Sequence, residues 1–165
     1  MDAERFKNSV AAHQRELLHY TMKMLRNREA AAEIVQEAFL RLWKSEPGKV
    51  PVESERAWLY RVCRNMAIDH IRRDGRMVAT EDMDAKFTTE TTSDDFELER
   101  VLAAMDQLSD SQKEVVRLKY QHDMSYKEIA EITGMSVSNV GVTLHNAIKA
   151  MKKRMETSTQ AGEAG

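Results

Sequence analysis

The sequence predicts an all-α protein made of two small helical domains joined by a flexible acidic linker. Glu, Lys, Arg, Leu, Met and Ala dominate its 165 residues, and these residue types favour helices. The chain has only 2 prolines and 6 glycines, and no run alternates β-branched with polar residues. Apolar residues recur at helical spacing on both sides of an acidic stretch that has no period.

Three helices are predicted for an N-terminal domain of residues 1–75. The first covers about Asp2 to Arg26, and the second covers about Glu29 to Lys44. The third begins near Ser54 and ends near Gly75, because serine favours an N-cap and glycine favours the position after a helix. Each of the three has one apolar face, so they are expected to form a bundle.

Residues 76–96 are predicted to form the flexible linker, because Thr, Asp and Glu dominate and no helical period appears. Residues 76–99 carry a net charge of −6, against +3 for residues 1–75 and +1 for residues 100–165. A protein that binds DNA tightly on its own is normally more basic. Any DNA binding here is therefore expected to need a partner.

Helical spacing returns in a C-terminal domain of residues 97–155, which is expected to be followed by a disordered tail over residues 156–165. Serines with Glu or Gln three residues later mark helix starts as capping boxes. The candidate pairs are Ser109 with Gln112 or Ser111 with Glu114, and Ser125 with Glu128. Ser136 is expected to cap the last helix.

The spacing over residues 125–151 is typical of a helix-turn-helix. Ala130 is small where two helices would cross, Gly134 suits a turn of positive φ, and Val140 would pack back on the first helix. The alternative is a plain helical hairpin. In a helix-turn-helix, the start of the second helix would present the side chains of Ser136, Ser138, Asn139, Val142 and Thr143.

Several classes of function are excluded by composition. The single cysteine, Cys63, excludes a disulfide framework and is read as a small buried hydrophobe. The five histidines lack ligand spacing, so no metal and no cofactor is predicted, and no nucleophile–base pair suggests an enzyme. No secretory leader or membrane-spanning run is visible, which favours a cytoplasmic location without membrane insertion.

Three runs together resemble one family. They are AEIVQEAFLRLW at 32–43, AWLYRVCRNMAIDHIRR at 57–73 and LSDSQKEVVRLKYQHDMSYKEIAEITGMSVSNV at 108–140. In this order and at this separation they resemble the bacterial RNA polymerase sigma factors of the small extracytoplasmic-function class. The resemblance covers about residues 5–153. It implies that the chain binds core RNA polymerase and directs promoter recognition, strand opening and transcription initiation.

The resemblance assigns the first run to polymerase binding. Its docking residues would be Glu33, Val35, Gln36, Glu37 and Phe39. Ile34, Ala38 and Leu42 are assigned to the core instead, and Trp43 fits either role.

The second run would read and open the downstream promoter box. An amide at Asn65 can pair with the edge of a flipped base, and arginines can hold phosphates. The residues implied are Trp58, Arg61, Arg64, Asn65, Arg72 and Arg73. Without the resemblance, a core tryptophan with a solvated basic face is the simpler interpretation of this helix.

The third run would read the upstream promoter box through Ser136, Ser138, Asn139, Val142, Thr143 and Lys149. It departs from the family, which usually has basic residues at the positions of Gly141, Thr143 and Asn146. Weaker affinity for the upstream box, or an unusual box, is therefore expected.

The partners implied are core RNA polymerase, promoter DNA and an anti-sigma protein. Two alternatives remain. One is a stand-alone helix-turn-helix regulator, against which the absence of a clear dimerisation helix after Arg154 counts. The other is a sigma-like decoy or interaction protein, for which the weakened upstream helix leaves room.

Overall fold

In the computed structural model, residues 1–51, 54–74 and 95–163 are described, and they contain seven α-helices and no β-strand. This confirms the all-α prediction. The helices are α1 (Ala3–Leu25), α2 (Arg28–Lys44), α3 (Glu55–Asp74), α4 (Asp95–Met105), α5 (Asp110–Tyr120), α6 (Tyr126–Thr133) and α7 (Val137–Glu163). The chain divides into two compact units, with α1–α3 in the first and most of α4–α7 in the second.

The first unit is a three-helix bundle in which each helix packs on the other two. Its fully buried side chains include Leu17, Leu42, Leu59 and Tyr60. Asp2 and Asn27 cap α1 and α2 through their side-chain oxygens, which accept from the backbone N–H groups of Arg5 and Ala30. The bounds of α1 and α2 agree with the predicted ones to within one residue, because capping residues mark helix ends locally.

Two capping boxes and one glycine mark helix ends in the second unit. Ser109 pairs with Gln112, which decides between the two candidate boxes, and Ser125 pairs with Glu128 as predicted. Gly134 has φ 79° and ends α6, its N–H donating to the carbonyl of Ala130 at 2.9 Å. The turn between α6 and α7 therefore has the expected left-handed glycine.

A disordered tail is predicted from Glu156, whereas α7 continues through the described residues to Glu163. Arg100 of α4 donates to the carbonyl oxygen of Met155 at 3.2 Å, and Thr157 donates to that of Lys153 at 2.9 Å. Both contacts lie at or just after the last lysines of α7. Residues 75–94, which include Gly75 and most of the predicted linker, lie outside the described residues.

Candidate functional site

The outer face of α3 brings together four of the six residues predicted to contact the downstream box. Ala57, Leu59, Tyr60, Cys63 and Ala67 form the buried face of this helix. On the opposite side, the spacing of the helix aligns Trp58, Arg61, Asn65 and Arg72. Asn65 and Arg72 are exposed, while Trp58 and Arg61 are half-buried. Along this surface, an amide thus lies between two cations, and an indole lies one turn before the first of them.

Arg64 and Arg73 lie off this stripe. At about 100° per residue, they fall on opposite flanks of α3, each about 80–100° from Asn65. Arg64 is half-buried, and Arg73 is exposed with its Nε donating to the carbonyl oxygen of Asp69 at 3.4 Å. These positions place the two guanidinium groups on the flanks of α3 rather than in line with Asn65.

An ion pair between α1 and α3 fixes how α3 is rotated about its own axis, and therefore which of its sides is exposed. Arg56 donates from Nε and Nη2 to the two carboxylate oxygens of Glu16, at 3.0 and 2.8 Å. His13 Nδ1 lies 2.9 Å from Glu16 Oε1, and the guanidinium of Arg56 lies over the ring of Tyr60. Burial raises the pKa of Glu16, but the hydrogen bonds from His13 and Arg56 and the charge of Arg56 outweigh it, lowering the pKa to about 2.

A second contact holds the start of α3. Glu55 is buried, although it is acidic. Its carboxylate accepts hydrogen bonds from Arg5 Nη2, at 3.0 Å, and from the hydroxyl of Ser9. Helix α1 therefore contacts α3 at both Glu55 and Arg56, and these contacts hold the first turn of α3 against α1.

The burial of two residues of α2 corrects the predicted polymerase-binding set. Val35 and Phe39 are 2% and 6% exposed, so they belong to the core and cannot contact a partner of the folded protein. Helix α2 packs on both α1 and α3 and therefore buries a wider stripe than one partner helix would require. Glu33, Gln36 and Glu37 are exposed as predicted. Ile34, Ala38 and Leu42 are buried as predicted.

Two large apolar side chains complete the outer face of α2. Leu40 is 48% exposed and Trp43 is 43% exposed, and both follow Glu33 and Gln36 at helical spacing. The ring of Trp43 packs edge-on against Phe6 of α1, with centroids 5.0 Å apart. We call Glu33, Gln36, Glu37, Leu40 and Trp43 the α2 face. Sequence reasoning missed Leu40, because an apolar residue in an amphipathic helix is normally assigned to the core.

The start of α7 presents the predicted upstream-box residues. Ser138, Asn139 and Val142 are exposed, while Val140 and Leu144 anchor the opposite side of the helix. The Thr143 hydroxyl, on the same side as Asn139, lies 3.5 Å from the amide oxygen of that residue. We call Ser138, Asn139, Val142 and Thr143 the reading face.

Ser136 caps the start of α7 as predicted, since its hydroxyl accepts a hydrogen bond from the backbone N–H of Asn139 at 3.0 Å. Lys149 is exposed further along α7. No Asp, Glu, Lys or Arg occurs from residue 136 to residue 148, so the reading face has no charged side chain of its own.

Three further observations concern the Cys63 thiol, metal binding and membrane spans. Burial raises the pKa of the Cys63 thiol to about 12, which fits a buried hydrophobe. Among the described residues, no group of His, Cys, Asp and Glu is arranged to hold a metal ion. Within the same residues, no helix is long and apolar enough to cross a lipid bilayer.

Comparison with known families matches both units. The family model for sigma-70 region 2 matches residues 10–77, and the model for sigma-70 region 4 matches residues 98–151. The RNA polymerase sigma factor YlaC of Bacillus subtilis is 31% identical over 155 residues, covering 88% of each chain. The sigma factor SigL of Mycobacterium tuberculosis, of the extracytoplasmic-function class, is 29% identical over 151 residues, covering 87% of this chain and 85% of its own.

Two solved structures share the fold. CnrH, in complex with the cytosolic domain of CnrY, superposes with a TM-score of 0.62 at 23% identity, covering 94% of this chain and 90% of CnrH. The sigma factor RpoE of Bartonella quintana, in complex with the anti-sigma factor NepR, gives 0.65 at 20% identity, covering 93% and 98%.

Proposed function

The chain belongs to the extracytoplasmic-function class of RNA polymerase sigma factors, and we propose that its two helical units divide the steps of promoter recognition between them. The observation that carries this proposal is the coincidence of two matched regions with two helical units, each of which has an exposed polar surface on one helix. A sigma factor gives core RNA polymerase its promoter specificity. The proposed domains are residues 1–75 and 97–155, with a linker between them.

The α2 face is the proposed docking surface for core polymerase. It combines carboxylates and an amide with Leu40 and Trp43, a mixture typical of protein interfaces with an apolar centre and a polar rim. The buried Val35 and Phe39 support this face from below rather than contacting the partner.

The stripe on α3 is the proposed contact with the downstream box. Asn65 would pair with the edge of an unstacked base, Trp58 would stack, and Arg61 and Arg72 would hold phosphates on either side. Arg64 and Arg73 would hold phosphates on the flanks of the helix. Strand opening would follow because the surface binds an unpaired base better than a paired one, which is binding energy rather than covalent catalysis. We therefore propose no enzymatic activity.

The reading face is the proposed contact with the upstream box, with Lys149 on the DNA backbone. Asn139 can pair with adenine, and the methyl groups of Val142 and Thr143 can contact the methyl group of thymine. Because this face has no Lys or Arg, polymerase must supply much of the non-specific affinity.

An anti-sigma protein is a proposed partner. CnrH and RpoE, which share the fold, were each solved as a complex, RpoE with an anti-sigma factor. Since polymerase and chromosomal DNA are the other partners, the proposed location is the cytoplasm.

Run-off transcription tests the proposal. The chain would be mixed with bacterial core polymerase and a pool of upstream fragments from its own genome, with core alone and chain alone as controls. Discrete start sites that require both components are expected, and Asn65→Ala should reduce them while core binding persists. Core binding without transcripts would favour a decoy. DNA binding without core would favour a stand-alone regulator.

A further inference from the structure

Trp43 occupies an exposed position at the end of the α2 face. It is 43% exposed and lies in the last turn of α2, which ends at Lys44. The last turn of a helix is the part that frays, since its final carbonyl groups have no partner within the helix. Immobilising a mobile side chain at an interface lowers affinity by about 2- to 10-fold. The affinity for polymerase therefore depends on whether the free protein already holds the ring of Trp43.

Phe6 of α1 is the side chain that holds this ring. The rings of Phe6 and Trp43 meet edge-on, with centroids 5.0 Å apart and planes at 67°. Phe6 also meets Phe39 edge-on, with centroids 6.3 Å apart and planes at 89°. Edge-on contacts are a preferred arrangement of aromatic pairs. Because Phe39 is buried and Trp43 is exposed, Phe6 links the ring on the docking surface to the core of the bundle.

The backbone that carries Phe6 is held in place by its neighbours. Asp2 caps α1, and its carboxylate accepts from the backbone N–H of Arg5 at 2.7 Å. Arg5 Nη2 donates to the carboxylate of Glu55 at 3.0 Å, and the hydroxyl of Ser9 donates to the same carboxylate. Arg5 and Ser9 thus bind the start of α3, while Phe6, between them in sequence, contacts α2. The first two turns of α1 are therefore fixed on one side and hold Trp43 on the other.

We propose that Phe6 is a positioning residue for polymerase docking, and that its ring fixes the indole of Trp43 in the orientation that core polymerase binds. The inference rests on the proposed docking of the α2 face and adds to it a residue of another helix. Phe6 acts through Trp43 rather than by touching the polymerase. A side chain that only filled space could be replaced by leucine, whereas positioning an indole edge-on requires a ring.

Affinity for core polymerase tests the inference. Each variant of the full chain would compete with a fluorescently labelled wild-type chain for core polymerase. Phe6→Leu should weaken binding by about 2- to 10-fold, whereas Phe6→Tyr, which keeps the ring, should bind like wild type. Leu17→Val is the matched control, because it trims a fully buried side chain of the same helix, about three turns away. It should lower stability and leave the affinity unchanged. Circular dichroism would check that each variant is folded.

Two further measurements separate positioning from packing and from direct contact. Trp43→Ala should weaken binding, and Phe6→Leu should add little in that background, because it acts through the missing ring. Trp58→Phe leaves Trp43 as the only tryptophan of the chain, so that its fluorescence can be followed alone. In that background, Phe6→Leu should make the indole of the free chain more accessible to quenching by acrylamide. Bound core polymerase should abolish this difference.

The two proposals fail differently. Binding of Phe6→Leu equal to that of wild type, while Leu40→Asp weakens binding, would overturn the positioning role alone. Additive losses for Phe6→Leu and Trp43→Ala would also overturn it, because they would mean that Phe6 contacts the polymerase itself. If neither Leu40→Asp nor Trp43→Ala changed the affinity for core polymerase, docking on the α2 face would be refuted, and the role of Phe6 with it.

Discussion

The ion pair between Glu16 and Arg56 makes the stability of the first unit dependent on pH. The pKa of Glu16 is lowered from 4.5 to about 2 in the folded protein. At 1.36 kcal/mol per unit, this difference corresponds to about 3 kcal/mol. The side chain of Glu16 is 24% exposed, so we expect solvent screening to reduce the contribution to about 2 kcal/mol.

The sign follows from the lowered pKa. Since the folded state holds the carboxylate ionised, the contribution is fully present above about pH 5 and is lost as the pH falls towards 2. Glu16→Gln should therefore destabilise the unit by about 2 kcal/mol at pH 7, and the difference from wild type should vanish near pH 2.

Urea unfolding at several pH values measures this difference. Trp43 and Trp58, the only tryptophans of the chain, both lie in the first unit, so their fluorescence reports its unfolding. For a unit of this size, about 2 kcal/mol lowers the midpoint by about 2 M urea. Glu37→Gln removes an ion pair that is about half exposed, and this control should change stability by less than about 0.5 kcal/mol. A Glu16→Gln difference that stays constant from pH 7 to pH 3 would refute the reasoning.

Three further predictions concern single positions. Leu40→Asp should weaken binding to core polymerase in a pull-down and change the free energy of unfolding little. Val35→Ala should lower the free energy of unfolding by about 2 kcal/mol, as measured in urea. The opposite pattern would return Val35 to the docking surface. Cys63, with a pKa of about 12 and no exposed surface, should react with a thiol reagent at pH 8 only as fast as the unit unfolds, and rapid labelling of folded protein would contradict its burial. Gly134→Ala, at φ 79°, should destabilise the second unit by about 1 kcal/mol, as followed by circular dichroism; an unchanged melting temperature would argue against the left-handed turn.

The fold was predictable from sequence where its signals are local. Capping pairs such as Ser125 with Glu128 and the turn glycine Gly134 act within one helical turn, so spacing alone reveals them. The end of α7 was not predictable in this way. The polar residues after Glu156 have no apolar period, yet α7 continues through them to Glu163, and the contact at Met155 comes from Arg100, which is distant in sequence.

The residues of the candidate site show the same contrast between local sequence signals and long-range packing. Asn65 and Asn139 are exposed on the surfaces where the motifs predicted them. Val35 and Phe39 were assigned outward because the motif identifies positions and not burial, which depends on how many neighbours a helix has. Leu40 gave no signal, because the exposure of an apolar side chain depends on which neighbours its helix packs against.

The separation of neutral and basic residues along α7 has a consequence for engineering. No Asp, Glu, Lys or Arg occurs in residues 136–148, whereas cations cluster at Lys149, Lys152, Lys153 and Arg154. If the reading face contacts the upstream box as proposed, exchanging Ser138, Asn139 or Val142 for other neutral residues should alter which box is preferred and leave the charge of the helix unchanged. This division makes the chain a convenient scaffold for orthogonal regulators, in which promoter preference is exchanged without retuning the ionic conditions of expression.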